Sequence, residues 1–386
     1  MKILLIANFI DKPGGAGRVE AYLAKALTEL QYEPVIVASS QLHSHHSSLL
    51  PKHLKVYVLR KGPQIRLPEP FIFHTMLNYK IIGKIIEREK PQIVLSSGGM
   101  SKSIVKEAKA IKAKVAVYYH MIAPWYIEIR GFYRRYKWRD LSMLWFGLNI
   151  ALNRIESIDL DPWPYVDVVF VNSKYMMHLA KRYWGEEPYV LQPPIEAERF
   201  KVLSREERTL EVISVGRLAP DKRYEDLIEA VGRNSVLKEV ARIRLMGVLD
   251  NEQYVRNLLK LTKKYDVKIS FNINIPEERK RYLLSKSMVF VNCSKHEHFG
   301  INVVEAMASG TPVIVHRSGG PYFDITNRGI YGLTYSTLDE LTGSIESLIE
   351  DSEMWVKYSK LAIQRAKLYD FELFKLRLSS ILTRVL

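Results

Sequence analysis

Two carboxylates eight residues apart, Glu297 and Glu305, stand in the run His296-Glu297-His298-Phe299-Gly300-Ile301-Asn302-Val303-Val304-Glu305-Ala306-Met307-Ala308, ahead of Ser309-Gly310-Thr311-Pro312. The run reads as the start of a helix that ends at Ser309-Gly310, and Val313-Ile314-Val315 reads as the next strand. Eight helical residues span about 12 Å, so both glutamates are expected to look out on one side. That separation suits a sugar at one end and a ribose at the other, with a diphosphate over the helix N-terminus. Free backbone N–H groups and the helix dipole bind an anion there without a metal. An ordinary amphipathic helix with a solvated glutamate at each end is the plain alternative.

Other loops carry complementary chemistry. Val215-Gly216-Arg217-Leu218-Ala219-Pro220-Asp221-Lys222 follows an apolar run, and its Arg217 and Lys222 could clamp a pyrophosphate from one side. Arginine offers a planar fork of donors, lysine a mobile point charge. Pro13-Gly14-Gly15-Ala16-Gly17-Arg18 follows the first apolar run, where glycines let backbone approach a ligand closely. Its spacing is not that of a dinucleotide fingerprint. His120 ends Lys114-Val115-Ala116-Val117-Tyr118-Tyr119, and strand C-termini face the ligand crevice in open α/β sheets.

Two signals are set aside. Neighbours in the extended triplet His296-Glu297-His298 point apart and lack further ligands at a zinc spacing. Asp159-Leu160-Asp161 precedes a proline-rich turn. No metal ligands are assigned, and no cofactor is expected.

The elements that must position these residues are those of an α/β protein, because short apolar runs alternate with helical patterns throughout. Strands are expected at 2–8, 34–39, 54–59, 92–96, 114–119, 166–171 and 189–191, with helices at 17–31, 72–90, 101–112 and 173–184. A second series has strands at 210–216, 241–247, 267–272, 287–292 and 312–315. Its helices are expected near 223–233, 250–265, 276–286 and 300–309, followed by helical stretches at 337–350, 353–368 and 370–386. Gln192-Pro193-Pro194-Ile195 is the natural hinge, since consecutive prolines resist helix and strand. The reading is therefore two Rossmann-like, doubly wound domains facing across a cleft, 1–193 and 194–369.

The block from Asn274-Ile275-Pro276-Glu277-Glu278 through Glu297-His298-Phe299-Gly300-Ile301 to His316-Arg317-Ser318-Gly319-Gly320-Pro321 resembles a known family. The Glu297-to-Glu305 spacing is similar to the signature of the family 4 retaining glycosyltransferases, which share the GT-B fold. Residues 270–325 are most similar to the α-1,2-mannosyltransferases that extend dolichol-pyrophosphate glycans. The resemblance implies transfer of a hexose from a nucleotide sugar to a lipid-linked or glycan acceptor, without metal. GDP-mannose is the favoured donor, and UDP-glucose or UDP-N-acetylhexosamine the alternative. It implies catalytic roles for His120, Arg217, Lys222 and Glu297. Donor contacts would come from Gly15, Arg217, Lys222, Gly247, Asn274, Ile275, Glu297, Phe299, Gly300, Ile301, Asn302, Val303 and Glu305. It also implies that 1–193 is the acceptor-side domain and 194–369 the nucleotide-sugar-binding domain, and that the last helix, at about 370–386, crosses back to the first domain. A sugar-nucleotide epimerase or phosphorylase of the same fold, or a basic binding module, are the rival classes; no pyridoxal-phosphate lysine motif is recognisable.

At 386 residues the chain is long enough for two cores. Its single cysteine, Cys293, excludes an internal disulfide framework and fits a reducing compartment. The opening Lys2–Ala7 run is too short for a signal peptide, and no apolar run is long enough to span a bilayer. A net charge of +15 calls for an anionic partner. Residues 125–146 interleave Trp125, Tyr126, Tyr133, Tyr136, Trp138 and Trp145 with Arg130, Arg134, Arg135, Lys137 and Arg139. That texture suits an interfacial anchor on anionic lipid better than single-stranded nucleic acid; a long helix packing its aromatics on its own domain is the plain alternative. The expected place is the cytoplasm, peripheral on the cytoplasmic face of a membrane, with no nucleic-acid partner.

Overall fold

The computed structural model describes residues 1–59, 78–122, 158 and 161–385. Residues 125–146 and Asp159-Leu160 lie outside them. The chain divides into two compact units: Met1–Asn172, Met176–Leu191 and Lys375–Leu386 form one, and Ser173–Tyr175 with Gln192–Phe374 the other.

The first unit holds a parallel sheet of β1 (Lys2–Ala7), β2 (Glu33–Ala38), β3 (Lys55–Val58), β4 (Ile93–Ser97), β5 (Lys114–Tyr119), β6 (Val168–Val171) and β7 (Tyr189–Val190), in the order β3-β2-β1-β4-β5-β6-β7. Helices α1 (Gly15–Glu29), α2 (Tyr79–Glu89), α3 (Lys102–Ala110) and α4 (Lys174–Trp184) connect the strands. Helices cover both faces of such a sheet, so its central strands are continuous apolar runs rather than alternating ones. In β1, Ile3 through Ala7 are all buried.

The second unit repeats the design with β8 (Thr209–Val215), β9 (Arg242–Gly247), β10 (Ile269–Ile273), β11 (Ser287–Asn292), β12 (Val313–His316) and β13 (Leu333–Tyr335), ordered β10-β9-β8-β11-β12-β13 and again parallel. Its helices are α5 (Tyr224–Arg233), α6 (Ser235–Val240), α7 (Glu252–Tyr265), α8 (Glu277–Lys286), α9 (Ile301–Ala308), α10 (Leu338–Glu350) and α11 (Ser352–Ala366). Helix α12 (Phe371–Val385) closes the chain and, from Lys375 on, belongs to the first unit. Lys375 pairs there with Glu29 of α1 at 2.7 Å.

Strand β13 and helix α6 were not expected from the sequence. Each is short, and a three-residue strand gives no readable period. In each sheet the strand order reverses beside the first strand of the unit, between β1 and β4 and between β8 and β11. The crevice outside the strand C-termini at such a reversal is where open α/β sheets bind ligands. Four helices of the second unit begin on side-chain caps: Asn234, Asn251, Thr337 and Asp351 accept from backbone N–H groups of the first turn. Helix α9 begins on Gly300 with no such cap, so no N-cap side chain consumes its first amides.

Candidate active site

Helix α9 is buried along most of its length: Val303, Val304, Ala306 and Met307 sit in the core. That packing fixes where its N-terminus points. The approach to it is a backbone-on-backbone contact. Gly319 has φ +75, and a Cβ there would meet Glu297 O at 2.4 Å and Glu297 N at 2.7 Å. A Cβ on Gly320 would meet His298 O at 2.4 Å, and the Gly320 N–H donates to Glu297 O at 2.7 Å. Two glycines thus let the Glu297 loop lie flat on the β12 loop, as any side chain there would push the carboxylate away. Ser318 Oγ accepts from His296 N at 3.0 Å and steadies the same loop.

Opposite Glu297, β8 ends at Val215 and turns outward at Gly216. Lys222 is the last residue of a short 3-10 turn and pairs its ammonium with Glu297. Burial opposes ionisation of Glu297, but the Lys222 charge and hydrogen bond, with smaller help from His298 and Ser294, hold its carboxyl below the usual range. Arg217 lies beside this pair with its side chain 52% exposed, braced by Asp250 at 2.9 Å and Asp221 at 3.1 Å. Burial alone would lower its pKa; the charges of Asp221, Asp250 and Glu297 raise it instead. Two cations, the three carboxylates that pair with them and a helix N-terminus without a side-chain cap therefore meet at the β8/β11 reversal. Such an arrangement can take an anion where the cations and free amides face it.

The geometry corrects part of the sequence reading. Helix α9 starts at Ile301, so Glu297 lies in the preceding loop and the two glutamates do not share a helical face. Glu305 does not look outward: it is 1% exposed, and Lys280 of α8 donates to its two oxygens at 2.9 and 3.1 Å. Phe299 is buried with its ring edge-on to Tyr369 at 5.6 Å, so it holds the loop from behind. Val303 is likewise buried, and its N–H is spent on Gly300 O and Asn302 Oδ1. Neither side chain presents a group to a ligand.

The remaining expected residues fall as follows. Gly300 has φ +92 and precedes Ile301, the first residue of α9. Asn302 donates its amide to Val215 O, tying the helix start to the end of β8. Gly247 closes β9 so near Gly216 that a Cβ would stand 1.8 Å from Gly216 O. Asn274 is exposed in a left-handed turn, its N–H on Gly247 O at 2.9 Å, and Ile275 packs partly on the core. Gly15 and His120 belong to the other unit, at the β1/β4/β5 strand ends.

There His120 sets its Nε2 2.7 Å from Ser97 Oγ, with its carbonyl held by Asn172 Nδ2 at 2.7 Å. Burial pushes its imidazole down to about 3, so it is neutral at physiological pH. Glu20 of α1 is fully buried below, and burial pushes its carboxyl up to about 8 against hydrogen bonds from Ser97, Phe9 and Asn8.

Several supporting residues escaped the sequence reading. Glu20 had a signal: it occupies an apolar stripe with Val19, Leu23 and Leu27, where a carboxylate is out of place. Lys280 and Asp250 had none, because their partners are remote in sequence. Arg208 is buried over the Trp355 ring and donates to Leu203 O, Ser287 O, Ser309 O and Thr311 Oγ1, locking the far end of α9.

Comparison with known proteins bears on the family and the fold. The family model for glycosyl transferases group 1 matches residues 195–365, and that for glycosyltransferase family 4 matches 13–199. A human GDP-Man:Man(3)GlcNAc(2)-PP-Dol alpha-1,2-mannosyltransferase is 30% identical over 175 residues, 41% of this chain and 36% of that protein. Maize sucrose-phosphate synthase is 29% identical over 199 residues, 46% of this chain and 18% of that protein. The matched segments thus span about a third of the length of the curated mannosyltransferases. Among solved structures, sucrose-phosphate synthase from Thermosynechococcus elongatus superposes with a TM-score of 0.75 at 18% identity, covering 100% of this chain and 98% of that one. Anabaena HepE in complex with UDP and glucose gives 0.73 at 17%, covering both chains fully. With the two family models running from residue 13 to 365 and both sheets wound in the same order, the chain belongs to the group 1, family 4 glycosyltransferases of GT-B fold.

Proposed function

We propose that this chain is a retaining hexosyltransferase that needs no metal, using a nucleoside-diphosphate sugar as donor and a lipid-linked or glycan hydroxyl as acceptor. GDP-mannose is the preferred donor, on the strength of the partial likeness to the dolichol-linked mannosyltransferases. One observation carries the reading: Arg217, Lys222 and Glu297 converge beside the uncapped N-terminus of α9 at the β8/β11 reversal.

In the reaction the bond from the sugar anomeric carbon to the phosphate oxygen breaks, and a bond to the acceptor oxygen forms on the same face. The hydroxyl proton passes to the departing phosphate oxygen. Negative charge grows on the β-phosphate, and Arg217, Lys222 and the amides near Gly300-Ile301 stabilise it; donors fixed in advance act without reorganising. Lys222 is shared between Glu297 and this anion. Glu297 then holds donor sugar hydroxyls.

Glu305, buried with both oxygens on Lys280, is given no contact with the donor. A UDP-sugar is the second reading, since HepE, a neighbour in fold, binds UDP and glucose. Peripheral attachment to an anionic membrane is part of the same proposal and rests on the composition of residues 125–146. Among the described residues no helix is long and apolar enough to cross a membrane.

The test is nucleotide release from a panel of GDP- and UDP-sugars with and without EDTA. Arg217→Ala is expected to lower turnover by about 10²–10³, the loss seen when one fixed oxyanion donor is removed, and Glu297→Ala to lower it as well by removing the partner of the sugar hydroxyls. Equal turnover in wild type and both variants, or activity abolished by EDTA, refutes the reading.

A further inference from the structure

The segment His316-Arg317-Ser318-Gly319-Gly320-Pro321 carries part of the resemblance in the sequence, yet the transfer step above uses none of its side chains. Its two glycines make room for the Glu297 loop. Its histidine and serine do something else. His316 ends β12, where its ring stands edge-on to Tyr335 of β13 at 5.3 Å. Its Nδ1 lies 2.7 Å from the Ser318 hydroxyl, and the same hydroxyl accepts from the His296 N–H at 3.0 Å. Ser318 is buried, which limits competition from water for that oxygen.

The residue it holds needs holding. His296 has φ +56, in the left-handed region that a residue with a side chain enters at a cost. It directly precedes Glu297, so its backbone angles aim the carboxylate. The ion pair with Lys222 also restrains that carboxylate. In the proposed reaction Lys222 is shared with the diphosphate, and the anchor at His296 then keeps Glu297 aimed. Gly319 and Gly320 set where the loop lies, and the Ser318 hydroxyl sets how residue 296 turns within it. A hydroxyl with one partner can change rotamer; a second partner, His316 Nδ1, holds it in one.

We infer that Ser318 and His316 are positioning residues for the donor sugar: through the His296 N–H they fix the turn that points Glu297 at the sugar hydroxyls. They thereby set how much the sugar adds to the binding of its nucleotide. This rests on the transferase reading, which supplies the sugar. In that reading the diphosphate is gripped by Arg217, Lys222 and the α9 amides, so a nucleoside diphosphate alone should not sense the change.

The experiment measures dissociation constants of GDP, GDP-mannose, UDP and UDP-glucose by calorimetry for wild type, Ser318→Ala, His316→Phe and His316→Asn. His316→Phe keeps a ring against Tyr335 and loses Nδ1; His316→Asn loses the ring and keeps a polar atom near that place. Ser318→Ala and His316→Phe are expected to weaken whichever nucleotide sugar binds by about 3–10-fold, the size of one net hydrogen bond. The matching nucleoside diphosphate should bind unchanged, and His316→Asn should behave as wild type. In a Glu297→Ala background, Ser318→Ala should have no further effect, because the group it aims is gone. Amide hydrogen exchange at His296, read by NMR without ligand, should quicken in Ser318→Ala and His316→Phe and not in His316→Asn.

The inference is overturned if Ser318→Ala leaves nucleotide-sugar binding unchanged or weakens diphosphate and nucleotide sugar equally. It is also overturned if His316→Phe matches wild type, or if the Ser318→Ala effect persists without Glu297. A protein that binds none of the four nucleotides would refute the transferase reading and the sugar-directed role with it; His296 exchange would still decide whether Ser318 and His316 hold the turn. One that binds a nucleotide sugar while His296 exchanges alike in every variant would refute the positioning alone.

Discussion

The two sheet reversals share a topology and differ in electrostatics. At β8/β11 the site is built of ions: Arg217 between Asp221 and Asp250, and Lys222 on Glu297, whose carboxyl is held below its usual range. At β1/β4 the titratable groups are stripped of charge, with Glu20 pushed up to about 8 and His120 down to about 3. Winding order thus places a crevice, while the partners each buried carboxyl finds decide what the crevice can bind. A carboxylate beside a cation stays ionised and serves an anion-and-hydroxyl site; one among amides and a hydroxyl keeps its proton and can donate.

The comparison is most easily broken at the ionic end. Lys280→Ala removes the cation that holds both oxygens of buried Glu305, and removing one partner of a buried pair costs about 3–5 kcal/mol. Urea denaturation should show that loss, and Lys280→Ala combined with Glu305→Gln should recover part of it. A loss below about 1 kcal/mol would mean that Glu305 relies on other neighbours.

The next contrast is in pH dependence, where the two carboxylates act with opposite sign. Glu20 titrates higher in the folded chain than its ordinary 4.5, so stability is greatest below that value and is lost as pH rises through about 8. Glu297 titrates lower, so its contribution is present above the ordinary carboxylate range and is lost as pH falls. One proton bound only when folded gives a slope of at most about 1.4 kcal/mol per pH unit. Glu20→Gln should therefore be less sensitive than wild type between pH 5 and 8 in chemical denaturation. Glu297→Gln should lose its disadvantage against wild type only in acid. Parallel curves for wild type and Glu20→Gln would show that Glu20 is ionised in the fold.

The smallest effect serves as the reference. Arg256 and Glu252 pair at 3.4 Å on the exposed face of α7, and such surface pairs contribute about 0–1 kcal/mol. Arg256→Ala should shift stability within that range. A larger shift would undercut the use of burial to rank these pairs.

Much of the architecture was legible because its signals are local. The apolar run of β11 and the stripes of α7 and α10 read directly as strand and helix, and both sheets follow from their alternation. The Arg217 and Lys222 loop was readable from its place after β8. The start of α9 was not, since Gly300 and the backbone contact with Gly319-Gly320 hold Glu297 out of the helix. Phe299 and Val303 read as site residues from their neighbours, yet their side chains face the core.

Sequence alone determined the repeated strand–helix alternation and the position of charged loops after particular strands, because periodicity and strand ends are properties of neighbouring residues. Tertiary structure decided which charges survive. Glu20, Ser97 and His120 meet only after three strands and a helix have packed, and Lys280 reaches Glu305 only across two helices. Burial and pairing set a group's protonation, and both depend on residues far apart in the chain.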